Sequence, residues 1–178
     1  MIQRVASVLF LLTAAAILLF ELVPDKAAEA SPEGQTAREQ ALAIIVNQSN
    51  PVDNLSLEEL RRVFLGERSH WPNGHRITLV MMEPGQPERK AVLREVCHMN
   101  ENDFSRHFLH GLFTGEVFVS PKTLATPVGV RKFVFNVPGA IGYLRAADLD
   151  QSVKVLRIDG HLPEDKEYRL QIDPRPVK

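Results

Sequence analysis

The chain has 178 residues, 44% of them hydrophobic, with a single cysteine and 21 Lys plus Arg against 22 Asp plus Glu. That length supports a domain with a real core, and the even charge balance argues against nucleic acid as a partner and against electrostatic membrane binding. A lone thiol, Cys97, forms no internal disulfide, so the fold does not lean on oxidation.

Residues 1–30 read as a signal peptide. Arg4 supplies a positive start, residues 5–20 are apolar without a break, and Ala28-Glu29-Ala30 before Ser31 has the small-x-small form of a cleavage site. The other reading is an uncleaved N-terminal anchor in the inner membrane, although the unbroken run falls short of the roughly 20 residues that span a bilayer core. No cysteine follows the run, against a lipid-anchored start. Both readings make the protein exported, periplasmic or extracytoplasmic, and removing residues 1–30 leaves 148 with no formal net charge.

Residues 31–40 are polar and expected to be a disordered spacer. Residues 41–172 are expected to form the domain, and 173–178 a loose tail. Residues 41–46 (ALAIIV) predict a buried strand closed by Asn47, Asn50 and Pro51. The next element, within 54–74, is unusually clear. Ser56 and Glu59 have capping-box spacing, Leu55 and Leu60 have staple spacing, and Leu57, Leu60, Val63 and Phe64 form one helical stripe stopped by Gly66. Trp71-Pro72-Asn73-Gly74 is a turn, with Trp71 expected to pin it against the core, and residues 76–81 follow as a strand. Pro87 opens a helix running to about Cys97, whose thiol packs on a helical face beside Val92 and Val96. Asn100 caps another helix, with Phe104, Phe108 and Leu112 on its buried side. Residues 114–123 read as irregular. Thr126-Pro127 starts a helix ended by Pro138-Gly139, residues 140–144 and 153–158 read as strands, and 168–172 as a last one. In Pro138–Tyr143 (PGAIGY) the two glycines allow close backbone approach. The early alternation of strand and helix predicts an α/β fold with a mixed sheet flanked by helices.

The order of these landmarks resembles the phosphate-type periplasmic solute-binding proteins of ABC transporters, in particular short single-lobe members. The matching features are the strand ending at Asn47, the helix ending Phe64-Leu65-Gly66, Trp71, Phe113-Thr114-Gly115 with Pro121 behind it, and Pro138–Tyr143. The resemblance covers roughly residues 44–158. It implies a type-2 periplasmic-binding-protein-like lobe, no cofactor, and transport of a small oxyanion such as phosphate with a transporter as protein partner. Family members of full length close two lobes around the ligand, and this chain supplies about one. Their phosphate loop, rich in Ser, Gly and Thr, corresponds here to residues 83–89 (EPGQPER), which has no hydroxyl and two prolines that remove donors. Gly85, Gln86 and Arg89 at a helix start, with Lys122 and the Thr126 helix start, are the candidate ligand-binding residues.

Catalytic signatures are absent: there is no G-x-S-x-G, H-E-x-x-H, P-loop or G-x-G-x-x-G. His107 and His110 have i, i+3 spacing, which is weak metal-ligand spacing and reads better as a polar helix face. A non-catalytic solute-binding protein is therefore the leading expectation. An envelope protein-interaction module that has lost its ligand is the other.

Overall fold

The computed structural model describes residues 40–117 and 120–173; the signal-peptide and spacer readings, and most of the tail, lie outside them. Among the described residues thirteen short elements build one five-stranded mixed sheet, a two-stranded ribbon and their covering helices. In chain order they are β1 (Leu42–Val46), β2 (Asn54–Leu55), α1 (Leu57–Phe64), β3 (Thr78–Met82), α2 (Pro87–Val92, continued by a π turn, Leu93–Cys97), α3 (Glu101–Thr114), β4 (Lys122–Leu124), α4 (Pro127–Asn136), β5 (Ala140–Arg145), a 3-10 turn (Ala146–Asp148), β6 (Lys154–Val155) and β7 (Arg157–Ile158). Among the described residues no helix is long and apolar enough to cross a membrane.

The large sheet has the order β4-β3-β5-β1-β6. β3 runs parallel to both β4 and β5, while β1 is antiparallel to β5 and β6. Every residue of β1 and β5 is buried, as a central strand covered on both faces requires. The two faces are distinguished by neighbouring residues of β5. A Cβ on Gly142 would meet Val130 and Val134 of α4, so this side of the sheet carries α4. Tyr143 points the other way: its ring lies 6.2 Å from Phe64 of α1, and its hydroxyl accepts from the Met82 N–H at 2.9 Å. Arg145, on the same side as Tyr143, reaches Glu88 of α2. Helices α1 and α2 therefore cover one face and α4 the other.

Helix α1 forms as its sequence dictates. Ser56 accepts from the Glu59 N–H, and the Glu59 carboxylate accepts from the Ser56 N–H at 2.9 Å. At the other end Gly66 has φ 75°, with Gly66 N–H to Val63 and Glu67 N–H to Arg62 satisfying the last carbonyls. Hydrogen bonds from Ser56 hold the Glu59 carboxyl below its ordinary range. The folded-state value is depressed, so this contribution is complete above the usual carboxyl range and is lost as acid protonates Glu59. Ser56→Ala is expected to cost about 1 kcal/mol at pH 7, and the deficit should shrink at pH 3; urea unfolding at the two pH values measures it.

Four elements depart from the sequence expectations. The helix expected to run to Cys97 changes to π geometry at Leu93 and ends with His98 in the left-handed region, φ 54°. Lys122 and Thr123, read as irregular, form with Leu124 the edge strand β4; both are exposed and gave no apolar alternation. Residues 153–158 split into β6 and β7 at Leu156, in different sheets. Residues 168–172 form a single bridge, Ala41 to Gln171, rather than a strand. On α3, Phe104 and Phe108 are buried as expected, but Leu112 is exposed and Gly111 takes the inner position. The reason is Val117, whose methyl would lie 2.7 Å from a Cβ on Gly111. Cys97 is fully buried, and burial raises its thiol to about 12, so it stays protonated and inert.

Candidate functional site

Strands β3 and β4 run side by side and end together: Met82 pairs with Leu124, and the Glu83 N–H extends the ladder to the Leu124 carbonyl at 3.1 Å. Each chain then turns and opens a helix, β3 into α2 and β4 into α4. Because α2 and α4 lie on opposite faces, the connections diverge at this point. In an open α/β sheet, that divergence creates a crevice at the carboxyl ends of the strands, where ligands bind.

The candidate residues fall around this end of the sheet. Gly85, at φ 92°, occupies the turn after β3 where a side chain would be strained. Gln86 is the residue before α2 and makes no side-chain cap. Thr126 caps α4, its hydroxyl accepting from the Gly129 N–H at 3.0 Å, and Pro127 occupies the first helical position. Lys122 lies in β4 opposite Val80, exposed, on a strand rather than in a loop. The structure thus brings Gly85, Gln86 and Thr126 to one end of the sheet, with Lys122 on its adjacent edge.

Arg89 is placed differently. Its guanidinium is buried, with Nε at 2.8 Å and Nη2 at 2.6 Å from the two Glu101 oxygens and Nη1 donating to the Met82 carbonyl at 2.8 Å. It also stacks 5.5 Å from the Phe104 ring. A forked, two-point pair of this kind fixes orientation. Here it ties α2 to the end of β3 and to the first turn of α3. Its neighbour Glu88 is 3% exposed and accepts from Arg145 Nε at 2.5 Å. Two ion pairs therefore lie under the Gly85–Gln86 turn. The second pair has no local mark in the sequence around Glu88. The available signal was Arg145 closing an otherwise apolar strand, a buried position that a charge occupies only when paired.

Trp71 serves the opposite end of the sheet. It is buried, and its indole N–H donates to the Gly139 carbonyl at 3.0 Å. Asn47 acts there too, donating to the Val134 and Phe135 carbonyls at the end of α4. His107 bonds the Leu65 carbonyl at 2.8 Å through Nε2, while His110 is exposed. Among the described residues no group of three or more His, Cys, Asp or Glu is arranged to hold a metal.

The phosphate-binding protein PstS of Bacillus subtilis (strain 168) is 30% identical over 128 residues, which is 70% of this chain and 38% of that protein. The chain resembles the phosphate-type periplasmic solute-binding proteins. Solved structures agree on the fold. A candidate phosphate ABC transporter substrate-binding protein from Clostridium perfringens, with bound phosphate, has a TM-score of 0.62 at 20% identity, over 75% of this chain and 53% of that one. PstS from Borrelia burgdorferi has a TM-score of 0.58 at 14% identity, over 75% and 55%. An ABC-type phosphate transport receptor from Vibrio cholerae has 0.54 at 22%, over 70% and 48%. The chain spans about half the length of these structures and less of the curated relative. No family model matches it.

Proposed function

We propose that this chain is an exported, non-catalytic solute-binding protein that holds a small oxyanion of the phosphate class for a membrane transporter. The shared end of β3 and β4 carries the reading. It combines two helix starts, whose unsatisfied N–H groups and dipoles favour a negative charge, with a glycine turn that lets backbone donors approach. The Gln86 amide and the Lys122 ammonium engage no hydrogen-bond partner among the described residues. The Thr126 hydroxyl and the first turn of α4 supply the second wall. Arg89 serves by holding the floor of the turn through Glu101, rather than by direct contact. The likeness to phosphate-binding proteins supports the oxyanion class and the transporter; the leader-like residues 1–30 support export to the periplasm.

Calorimetry of the full chain with inorganic phosphate and with sulfate tests it. Saturable heat is expected, with affinity falling at least about tenfold, or about 1.4 kcal/mol, in Lys122→Glu and in Thr126→Val. An absence of heat at millimolar anion overturns the reading.

A further inference from the structure

The outer side of α3 carries a feature the oxyanion site does not use. Leu109, Leu112 and Phe113 are 59%, 41% and 85% exposed, and their i, i+3, i+4 spacing makes them one stripe. Beside the stripe lies a cavity of about 280 Å³ walled by Phe104, Phe108, Leu109, Leu112, Pro121 and Thr123. Phe108 and Ser120 also wall a second, smaller cavity of about 40 Å³, together with Arg68, Ser69, Arg76 and Ile77. The two cavities therefore adjoin along Phe108 and Ser120. The larger one runs beside β4, one of the two edge strands of the five-stranded sheet.

Charge is distributed unevenly along this groove. Among the described residues neither cavity wall carries an Asp or Glu. Arg89, at the apolar end, is neutralised by Glu101. At the other end the Arg76 guanidinium has no hydrogen-bond or ion-pair partner among the described residues. Arg68 donates to the His70 carbonyl at 3.4 Å, stacks 5.7 Å from the Trp71 ring and, on its other side, attracts the Glu59 carboxylate. A basic end, an apolar middle and an unpaired strand edge complement an extended chain that is acidic at one end and apolar along one side. A second copy fits less well: in a two-fold contact the same surface meets itself, and among the described residues these cavity walls offer no carboxylate to the arginines.

We propose that this groove docks an extended, acidic segment of a partner protein, with apolar side chains seated against Leu109, Leu112 and Phe113 and a carboxylate held by Arg68 and Arg76. It is independent of the oxyanion site, and neither reading requires the other.

The test is selection of random dodecapeptides displayed on phage against the immobilised full chain, followed by fluorescence titration of the enriched peptides. Enriched sequences are expected to combine Asp or Glu with Leu, Ile, Val or Phe. They are expected to bind at least about tenfold more weakly to Leu109→Ser/Phe113→Ser and to Arg76→Glu. All three positions are exposed, so the variants should keep the wild-type circular dichroism. No enrichment, enrichment without acidic residues, or binding indifferent to both variants overturns the proposal. So does a concentration-dependent dimer in sedimentation that Leu109→Ser/Phe113→Ser abolishes, which assigns the stripe to a second copy. Sedimentation with phosphatidylglycerol vesicles that Phe113→Ser abolishes overturns it as well, assigning the stripe to a lipid surface.

Discussion

Replacing Glu88 by alanine is expected to destabilise the protein by about 3–5 kcal/mol, the cost of stranding one member of a buried ion pair. Glu88 and Arg145 are 3% and 7% exposed and meet at 2.5 Å. In such surroundings the attraction between the charges offsets the loss of their hydration, and little is left over as net stability. Removing the carboxylate takes away the attraction and leaves the guanidinium desolvated. The informative control is the double variant Glu88→Leu/Arg145→Met, which should lie within about 1 kcal/mol of wild type, because apolar side chains of similar volume need no hydration. Urea unfolding followed by Trp71 fluorescence reads both, since the chain has a single tryptophan. A Glu88→Ala loss below about 1 kcal/mol is the range of a hydrated surface pair and sinks the argument.

The same pair bears on the site. Glu88 stands in the first turn of α2, two residues after Gln86, and Arg145 ends β5. The pair clamps the start of α2 over the sheet while Arg89 clamps it to α3. With both clamps in place, the Gly85–Gln86 turn is set by rigid elements on either side. A binding loop benefits from such support, because donors held in position before the ligand arrives lose less entropy on binding. Weaker anion binding in Glu88→Ala at a urea-free temperature where it remains folded would follow from the same cause.

How much of this was legible depended on where each element draws its stability. Helix α1 was fully legible, because its cap, staple, stripe and glycine stop are local and each is written in the residue types. The caps at Asn100 and Thr126 were legible for the same reason. Edge strand β4 was not, because Lys122 and Thr123 are exposed and its strand character comes from pairing with Val80 and Met81, more than 40 positions earlier. The exposure of Leu112 likewise follows from tertiary packing, with Val117 folding back on Gly111. At the candidate site, the turn at Gly85 and the helix start at Thr126 were legible as local structure. The sequence could not tell that Arg89 would face Glu101, since both a ligand-facing and an inward-facing arginine fit that position on the helix. The parallel pairing of β3 and β4, which brings Gly85 and Thr126 to one end, is also a long-range fact with no local mark.

Gly139→Ala is expected to be the other large effect, at about 3 kcal/mol or more. A Cβ at Gly139 would lie 2.0 Å from the Arg76 carbonyl oxygen and 3.1 Å from its carbon. The obstacle is backbone, so no side-chain rotation relieves it, and overpacking of this kind costs about 1–3 kcal/mol even where the surroundings relax. Relaxation here has its own cost. The Gly139 carbonyl accepts from the Thr78 N–H and from the Trp71 indole N–H, both at 3.0 Å, and moving it away weakens two bonds worth about 1 kcal/mol each. Two other glycines calibrate the prediction. Gly142→Ala meets only the Val130 and Val134 methyls and the Val80 Cβ, the nearest at 3.0 Å, and a small shift of α4 should limit the loss to about 1 kcal/mol. Gly74→Ala meets nothing within 4 Å but has φ 84°, so its cost is backbone strain alone, about 1 kcal/mol. Urea midpoints should therefore fall most for Gly139→Ala and much less for the other two. Its native Trp71 emission should also shift as the indole loses its acceptor. Equal losses at all three positions would mean that close approach of the Arg76 and Gly139 backbones is not what sets the start of the β3–β5 pair.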